Sequence, residues 1–223
     1  MSRYEPWDSE ILGIPTWRIT NLSSLPPPPR YLFTKVLLSD RQSLRDYQLA
    51  GFQAISAEIT LKATSTPLSS SPLAFRAATF QDEEDLFALA RTAFSHSRFH
   101  ADPLIPRSTA NLSRASWVSN ALHDKRGLPS EIHLLTVNSL IAGFVICALD
   151  NGAGIIDLIA VHPELRSNGY GKSLCLYALD WFKSRCSTVS TTTQLTNTSA
   201  LRMYLSVGFR PLSSYLILRR RDV

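Results

Sequence analysis

Residues 155–172 read Ile-Ile-Asp-Leu-Ile-Ala-Val-His-Pro-Glu-Leu-Arg-Ser-Asn-Gly-Tyr-Gly-Lys, and no other stretch of the chain constrains its fold as tightly. The apolar run 155–161 predicts a buried strand. A short polar turn follows, Arg166-Ser167-Asn168-Gly169-Tyr170-Gly171. It opens an amphipathic helix predicted over 169–184, with Leu174, Tyr177, Ala178 and Trp181 on one face. Such a junction leaves backbone N–H groups unpaired at the positive end of a helix. Gly169 and Gly171 let the backbone approach a ligand with no Cβ in the way. The combination suits a pyrophosphate. A strand–turn–helix junction of purely structural purpose reads the same way.

Spacing excludes two familiar phosphate loops. Gly171-Lys172-Ser173 ends like a Walker loop but lacks the upstream glycine, and no glycine precedes Asn168 to complete a dinucleotide fingerprint. The pattern that fits is Arg/Gln-x-x-Gly-x-Gly/Ala, met by Arg166, Gly169 and Gly171. Downstream, residues 197–209 read Asn-Thr-Ser-Ala-Leu-Arg-Met-Tyr-Leu-Ser-Val-Gly-Phe. Asn197 suits a helix N-cap and Gly208 a C′ position. Asn197 and Tyr204, seven apart, share a helix face to within roughly 20°. Alone, that segment is a capped helix with a core tyrosine. In this order, the two motifs resemble the GNAT N-acetyltransferase superfamily.

The order of predicted elements agrees with that resemblance. From 74 onward it runs β-α-α-β-β-β-α-β-α-β: strands over 74–78, 132–137, 140–149, 155–161 and 187–193, helices over 79–94, 108–123, 169–184 and from Asn197, and two short terminal strands. A tight turn is expected at Asn138-Ser139. The fold class expected is α/β (α+β): a GNAT fold, with a mixed central sheet and helices on both faces, preceded by a small N-terminal α/β domain. That domain covers 1–62, with strands over 17–21 and 54–61 around a helix over 39–50. The Ser/Thr/Pro-rich segment 63–73 is expected to be a linker, and the acetyltransferase domain to cover 74–223. The 26–29 proline run reads as a rigid loop, and Arg219-Arg220-Arg221 as a solvated tail.

Composition narrows the setting. An apolar share of 44% is ordinary for a soluble globular chain. The longest apolar stretch, 140–149, is too short to span a bilayer, so no membrane partner is expected. The opening residues do not read as a secretory signal. Cys147, Cys175 and Cys186 show no Cys-x-x-Cys spacing, and Cys147 in an apolar strand and Cys175 in a helix read as buried thiols, which fits a reducing cytoplasm. A net charge of +5 suits an anionic ligand, but its Lys and Arg residues are too scattered for a nucleic-acid surface.

A narrower resemblance rests on Ser95-His96-Ser97-Arg98-Phe99-His100-Ala101-Asp102 and on Trp7-Asp8-Ser9 with Gly13. Both blocks resemble the sugar-nucleotide N-acetyltransferases, nearest to those acting on dTDP-4-amino-4,6-dideoxyhexoses such as dTDP-fucosamine, which also carry a small N-terminal α/β domain. The resemblance implies an amino sugar nucleotide as acceptor, with His96, Arg98 and His100 near it and Arg98 pairing a phosphate. The residues equally allow a structural loop with Phe99 in the core. No Cys or carboxylate completes a metal set around His96 and His100, so no metal is expected.

The mechanism implied is direct acetyl transfer from acetyl-CoA to an amine. Tyr204 would be the general acid. Ile159, Ala160 and Val161 would meet the pantetheine along the strand edge, with an oxyanion-stabilising N–H near Ile159 or Val161. Arg166, Ser167, Asn168, Gly169, Tyr170, Gly171 and Lys172 would hold the pyrophosphate, and Asn197 the pantetheine side. The base is left open between Asp157, which strict alternation puts on the side of Ile159 and Val161, Glu58, a histidine and a water relay. Another small amine, a protein N-terminus or a non-catalytic CoA-binding role are the alternatives, and a homodimer is left open.

Overall fold

The computed structural model describes residues 2–64 and 73–222. In chain order the elements are β1 (Arg3–Tyr4), α1 (Pro6–Leu12), β2 (Thr16–Arg18), β3 (Arg30–Leu37), α2 (Arg41–Leu49), β4 (Gln53–Thr64), β5 (Ala74–Ala77), α3 (Glu83–Ala93), α4 (Arg98–Ala101), α5 (Arg107–Leu122), β6 (Ser130–Val137), β7 (Leu140–Asp150), β8 (Ala153–Val161), α6 (Tyr170–Phe182), β9 (Thr188–Gln194), α7 (Thr198–Ser206) and β10 (Arg210–Asp222). The described strands form one mixed sheet in the order β1-β2-β3-β10-β4-β9-β8-β7-β6-β5. Pairing is parallel at β2–β3 and β8–β9 and antiparallel elsewhere.

Alternation along β7 separates two cores. Val145 and Cys147 join Leu174, Ala178 and Phe182 of α6 and Tyr204 of α7. Phe144 and Ile146 join Leu86 and Leu89 of α3 and Ala115 and Val118 of α5. Successive strand residues point to opposite faces, so helices cover both sides of the sheet, the layering expected from the sequence. At the β6–β7 turn Asn138 and Ser139 both have positive φ (50° and 65°), the conformation of a two-residue hairpin.

Residues 1–62 keep a small core of their own, in which Ile19, Leu32, Val36, Tyr47 and Phe52 pack under α2 together with Leu218. Their strands do not form a separate sheet. β10 pairs with β3 on one side and β4 on the other, and β4 goes on to pair with β9. Ala63 and Thr64, placed in the linker by composition, are the end of β4, opposite Val189 and Thr188. The rest of that segment, 65–72, lies outside the described residues.

Three local expectations change. The two short terminal strands are a single 13-residue strand, β10. Arg219-Arg220-Arg221 lies in that strand rather than in a solvated tail. Arg219 is buried, its Nε donating to Asp102 Oδ2 at 3.1 Å, and Arg220 donates to the Ala50 carbonyl at 2.8 Å. β3 was not anticipated, although Tyr31-Leu32-Phe33-Thr34 is buried throughout and reads as a two-sided strand once the proline run before it is set aside.

Asp102 ties three remote pieces together. Its side chain has no exposure and accepts bonds from Arg219, from Tyr31 Oη (2.6 Å) and from the Leu104 N–H (2.9 Å). Breaking a buried pair from one side costs about 3–5 kcal/mol, because the remaining charge is stranded. Asp102→Asn should therefore lower the urea midpoint by an amount corresponding to about that loss. A midpoint equal to the parent's would show that β3 and β10 do not depend on this carboxylate.

Candidate active site

Strands β8 and β9 run side by side only from Gly154–Val189 to Ile156–Thr191. Beyond that point β9 continues against β4, with Glu58 opposite Gln194, and β8 continues against β7 alone. A gap therefore opens in the middle of the sheet. At its apex, Cys147 pairs with Ile156 and Ile146 with Leu158, which leaves Asp157 as an extra, bulged residue.

The bulge corrects one expectation. Strict alternation would put Asp157 on the side of Ile159 and Val161, which pack towards α6. The inserted residue resets the alternation, and the Asp157 carboxylate faces α5. There Oδ2 accepts from Trp117 Nε1 (2.8 Å), and Arg126 pairs with the same carboxylate. The gap-facing backbone follows from the ladder. His162 N–H donates to the Ala142 carbonyl of β7 at 2.8 Å. Bonding direction alternates along an antiparallel strand. The N–H groups of Ile159 and Val161 thus point away from β7, into the gap.

The predicted loop lies at the same end. Gly169 caps α6 with φ 82°, a left-handed conformation that favours glycine. The first bond of the helix runs from Ser173 N–H to the Gly169 carbonyl, at 3.0 Å. The N–H groups of Tyr170, Gly171 and Lys172 precede it and have no partner within the helix. A Cβ on Gly171 would meet only Val161 Cγ2, at 3.7 Å, so its glycine character is not required by packing. Arg166 is exposed and donates to the Ala93 carbonyl at the end of α3 (2.6 Å). Asn197 caps α7, as expected, by accepting from the Ala200 N–H at 3.3 Å. Tyr204 is 3% exposed and sits 3.4 Å from Thr191 Oγ1, and burial pushes its phenol well above the usual value.

A cleft of about 910 Å3 joins these parts to a second wall. Of the residues anticipated from sequence, Ile159, Ala160, Val161, Arg166, Ser167, Gly169, Tyr170, Gly171, Lys172, Asn197, Tyr204, Asp157, Glu58, His96 and Arg98 line it. Asn168 and His100 do not. Asn168 Nδ2 braces the turn through the Leu165 and Arg166 carbonyls, both at 3.2 Å. His100 is held between Ser97 Oγ (2.7 Å) and Asn111 Oδ1 (2.9 Å), and burial lowers its pKa.

The two short sequence blocks meet here, 90 positions apart. Arg98 bonds to Asp8 and lies over the rings of Phe33 (4.4 Å) and Phe99 (4.5 Å). Trp7 makes an edge contact with Trp117 at 5.4 Å. Phe99 is buried, as the structural reading of its loop has it. Sequence reasoning assigned no role to Lys35, Arg114, Trp117 and Gln194, which also line the cleft. For Arg114 and Trp117 the available signal was their spacing on one face of α5. Lys35 carried no signal without β3. Among the described residues no group of three or more metal-ligating side chains converges, and no helix is long and apolar enough to cross a membrane.

The family model "Acetyltransferase (GNAT) family" matches residues 85–209, more than half of the chain. The chain belongs to the GNAT acetyltransferase family. Two curated relatives carry names from sugar chemistry. The chain is 28% identical over 136 residues to the spore coat polysaccharide biosynthesis protein SpsD of Bacillus subtilis, covering 60% of this chain and 46% of that protein. It is 27% identical over 217 residues to a dTDP-fucosamine acetyltransferase of Escherichia coli, covering 91% of this chain and 90% of that protein. The chain thus spans less than half the length of SpsD. Among solved structures, a GCN5-related N-acetyltransferase from Sphaerobacter thermophilus superposes with a TM-score of 0.60 at 17% identity, covering 86% of this chain and 60% of that one. The chain accordingly carries a GNAT acetyltransferase domain on the GNAT fold.

The loop geometry makes a direct prediction. A ligand that binds only the folded state raises its melting temperature. CoA should therefore stabilise the parent, and Gly171→Val should abolish the shift while leaving the ligand-free melting temperature close to the parent's. A full CoA shift in the variant would show that no ligand approaches this backbone.

Proposed function

We propose that this GNAT enzyme transfers an acetyl group from acetyl-CoA directly to the amine of a nucleotide-linked amino sugar of the dTDP-4-amino-4,6-dideoxyhexose type. The observation that carries the reading is a single cleft lined both by the glycine loop with Tyr204 and by the Ser95–His96–Arg98 wall with Glu58 and Asp157. The name of the Escherichia coli relative, aligned over nine-tenths of both chains, supports the acceptor class.

Acetyl-CoA would supply the activated acyl group as a thioester. The free N–H groups of Tyr170, Gly171 and Lys172 suit its pyrophosphate, and those of Ile159 and Val161 suit the pantetheine and the developing oxyanion. Tyr204 keeps its proton because burial disfavours the phenolate, and delivers it to the leaving sulfur. We assign the base to Glu58. Gln194 Nε2 donates to its Oε1 at 2.7 Å, and Lys35 Nζ pairs with Oε2 at 3.0 Å. The bulge turns Asp157 to the α5 side, where Arg126 and Trp117 hold it, and we assign it to pinning the bulge.

Tyr204→Phe keeps the packing and removes the proton. It should lower kcat by about a hundredfold to ten-thousandfold, the usual worth of general acid–base catalysis, with CoA affinity unchanged. A kcat near the parent's would remove Tyr204 from the mechanism. The acceptor is tested by coupled thiol release with the dTDP-linked 4-amino sugar against the free amino sugar. The nucleotide-linked form should have the higher kcat/KM by tenfold or more. Equal values would replace this reading with acetylation of a small amine.

A further inference from the structure

The cations around the acceptor end of the cleft are matched one to one with carboxylates, with one exception. Lys35 pairs with Glu58, Arg98 with Asp8 and Arg126 with Asp157. Arg114 lines the same cleft. Among the described residues no carboxylate lies within 4 Å of it and no hydrogen bond reaches it, and its Nε is buried with no partner. Its neighbours are rings, Phe94 and Trp117, each 5.8 Å from the guanidinium. Burial pushes its pKa down to about 10, with the nearby Arg98 adding to the effect. Asp157, Glu58 and Asp8 pull the other way, but each is engaged by its own cation.

Arg114 is half-buried; its Nε, like that of Arg98, is buried with no partner, and unlike Arg98 it has no carboxylate to offset the loss of water, which is unfavourable for a charge. A perturbed ionisable group in a cleft is also where a ligand charge is expected. Arg114 shares a face of α5 with Trp117, one turn on, and with Asn111, one turn back, so it points where those residues meet Asp157 and His100. A second unmatched atom completes the pattern. With Nε2 on Glu58, Gln194 keeps a buried Oε1 that accepts nothing. One end of the cleft therefore lacks an anion, and the Glu58–Gln194 end lacks an N–H donor.

We infer that Arg114 is the anchor for the acceptor's diphosphate, gripping it through its planar fork, while the acceptor's amine lies at Glu58 and Gln194. Arg98, engaged by Asp8 and sandwiched between Phe33 and Phe99, supports that wall and is not itself the principal phosphate ligand. The inference rests on the reading of the acceptor as a nucleotide-linked sugar and adds the residue that recognises it. A guanidinium fork suits paired phosphate oxygens better than an ammonium does.

The test uses thymidine diphosphate titrated into the full chain already saturated with CoA, so that the glycine loop is filled. Arg114→Gln should weaken thymidine diphosphate binding by tenfold or more and Arg114→Lys by less. Arg91→Gln, an exposed change on α3, should leave it unchanged, and CoA affinity should be the same in all. Because the charge has no partner in the free protein, Arg114→Met should melt no lower than the parent. An Arg114→Gln variant that binds thymidine diphosphate as the parent does, a CoA-saturated parent that does not bind it, or an Arg114→Met variant that melts well below the parent would overturn the inference. Arg114-dependent binding with no acetylation of any dTDP-4-amino sugar would sink the proposed reaction and leave the anion site standing.

Discussion

The early end of the β8–β9 ladder, at Ile156 and Thr191, is the constraint on which the site depends. Backbone N–H and C=O groups in a protein interior are rarely left without partners, yet here two neighbouring strands separate in the middle of a ten-stranded sheet. The Asp157 bulge turns β8 away, while β9 stays paired along its other edge with β4. What remains is a pair of N–H groups, on Ile159 and Val161, facing a gap within a cleft that Tyr204 and the glycine loop also line. Acyl transfer needs donors already aimed at a developing oxyanion. A broken ladder is a way to leave such donors free without any side chain.

Opposite the loop, the second wall of the cleft is built from residues that lie far apart in sequence. Asp8 in α1 engages Arg98 at the start of α4, and Asp102, just after α4, engages Tyr31 of β3 and Arg219 of β10. The short α4 is thus clamped at both ends by buried or half-buried carboxylate contacts. The N-terminal residues are part of the site's architecture, since Lys35 and Glu58 both line the cleft.

The glycine loop, the Asn197 cap, Tyr204 and the helices over both faces of the sheet were legible because each is a local pattern: a period, a cap, a turn. The Asp157 orientation was not, because a bulge depends on the register between two strands and leaves no mark on the alternation of one. Arg219 looked like tail because its partner, Asp102, is 117 positions away. β3 was hidden behind a proline run that ends where the strand begins. Arg114 carried nothing beyond its spacing with Trp117 on α5. Its significance lies in what every neighbouring carboxylate is already bonded to, and only the assembled wall reveals that.

The position of β10 has a consequence for how the chain reaches this state. Arg30 and Asp222 are bonded across 192 positions, and β10 is the shared neighbour of β3 and β4. During synthesis the β6–β7–β8 meander and the helices packed on it can form from local contacts, but β3 and β4 must wait with open edges until β10 exists. Contacts of such separation slow folding, and open edges invite pairing with other chains. The edge of the cleft that carries Lys35 and Glu58 is therefore the last part to be assembled, and a nascent chain can hold the glycine loop and the α5 wall before the cleft is closed on that side.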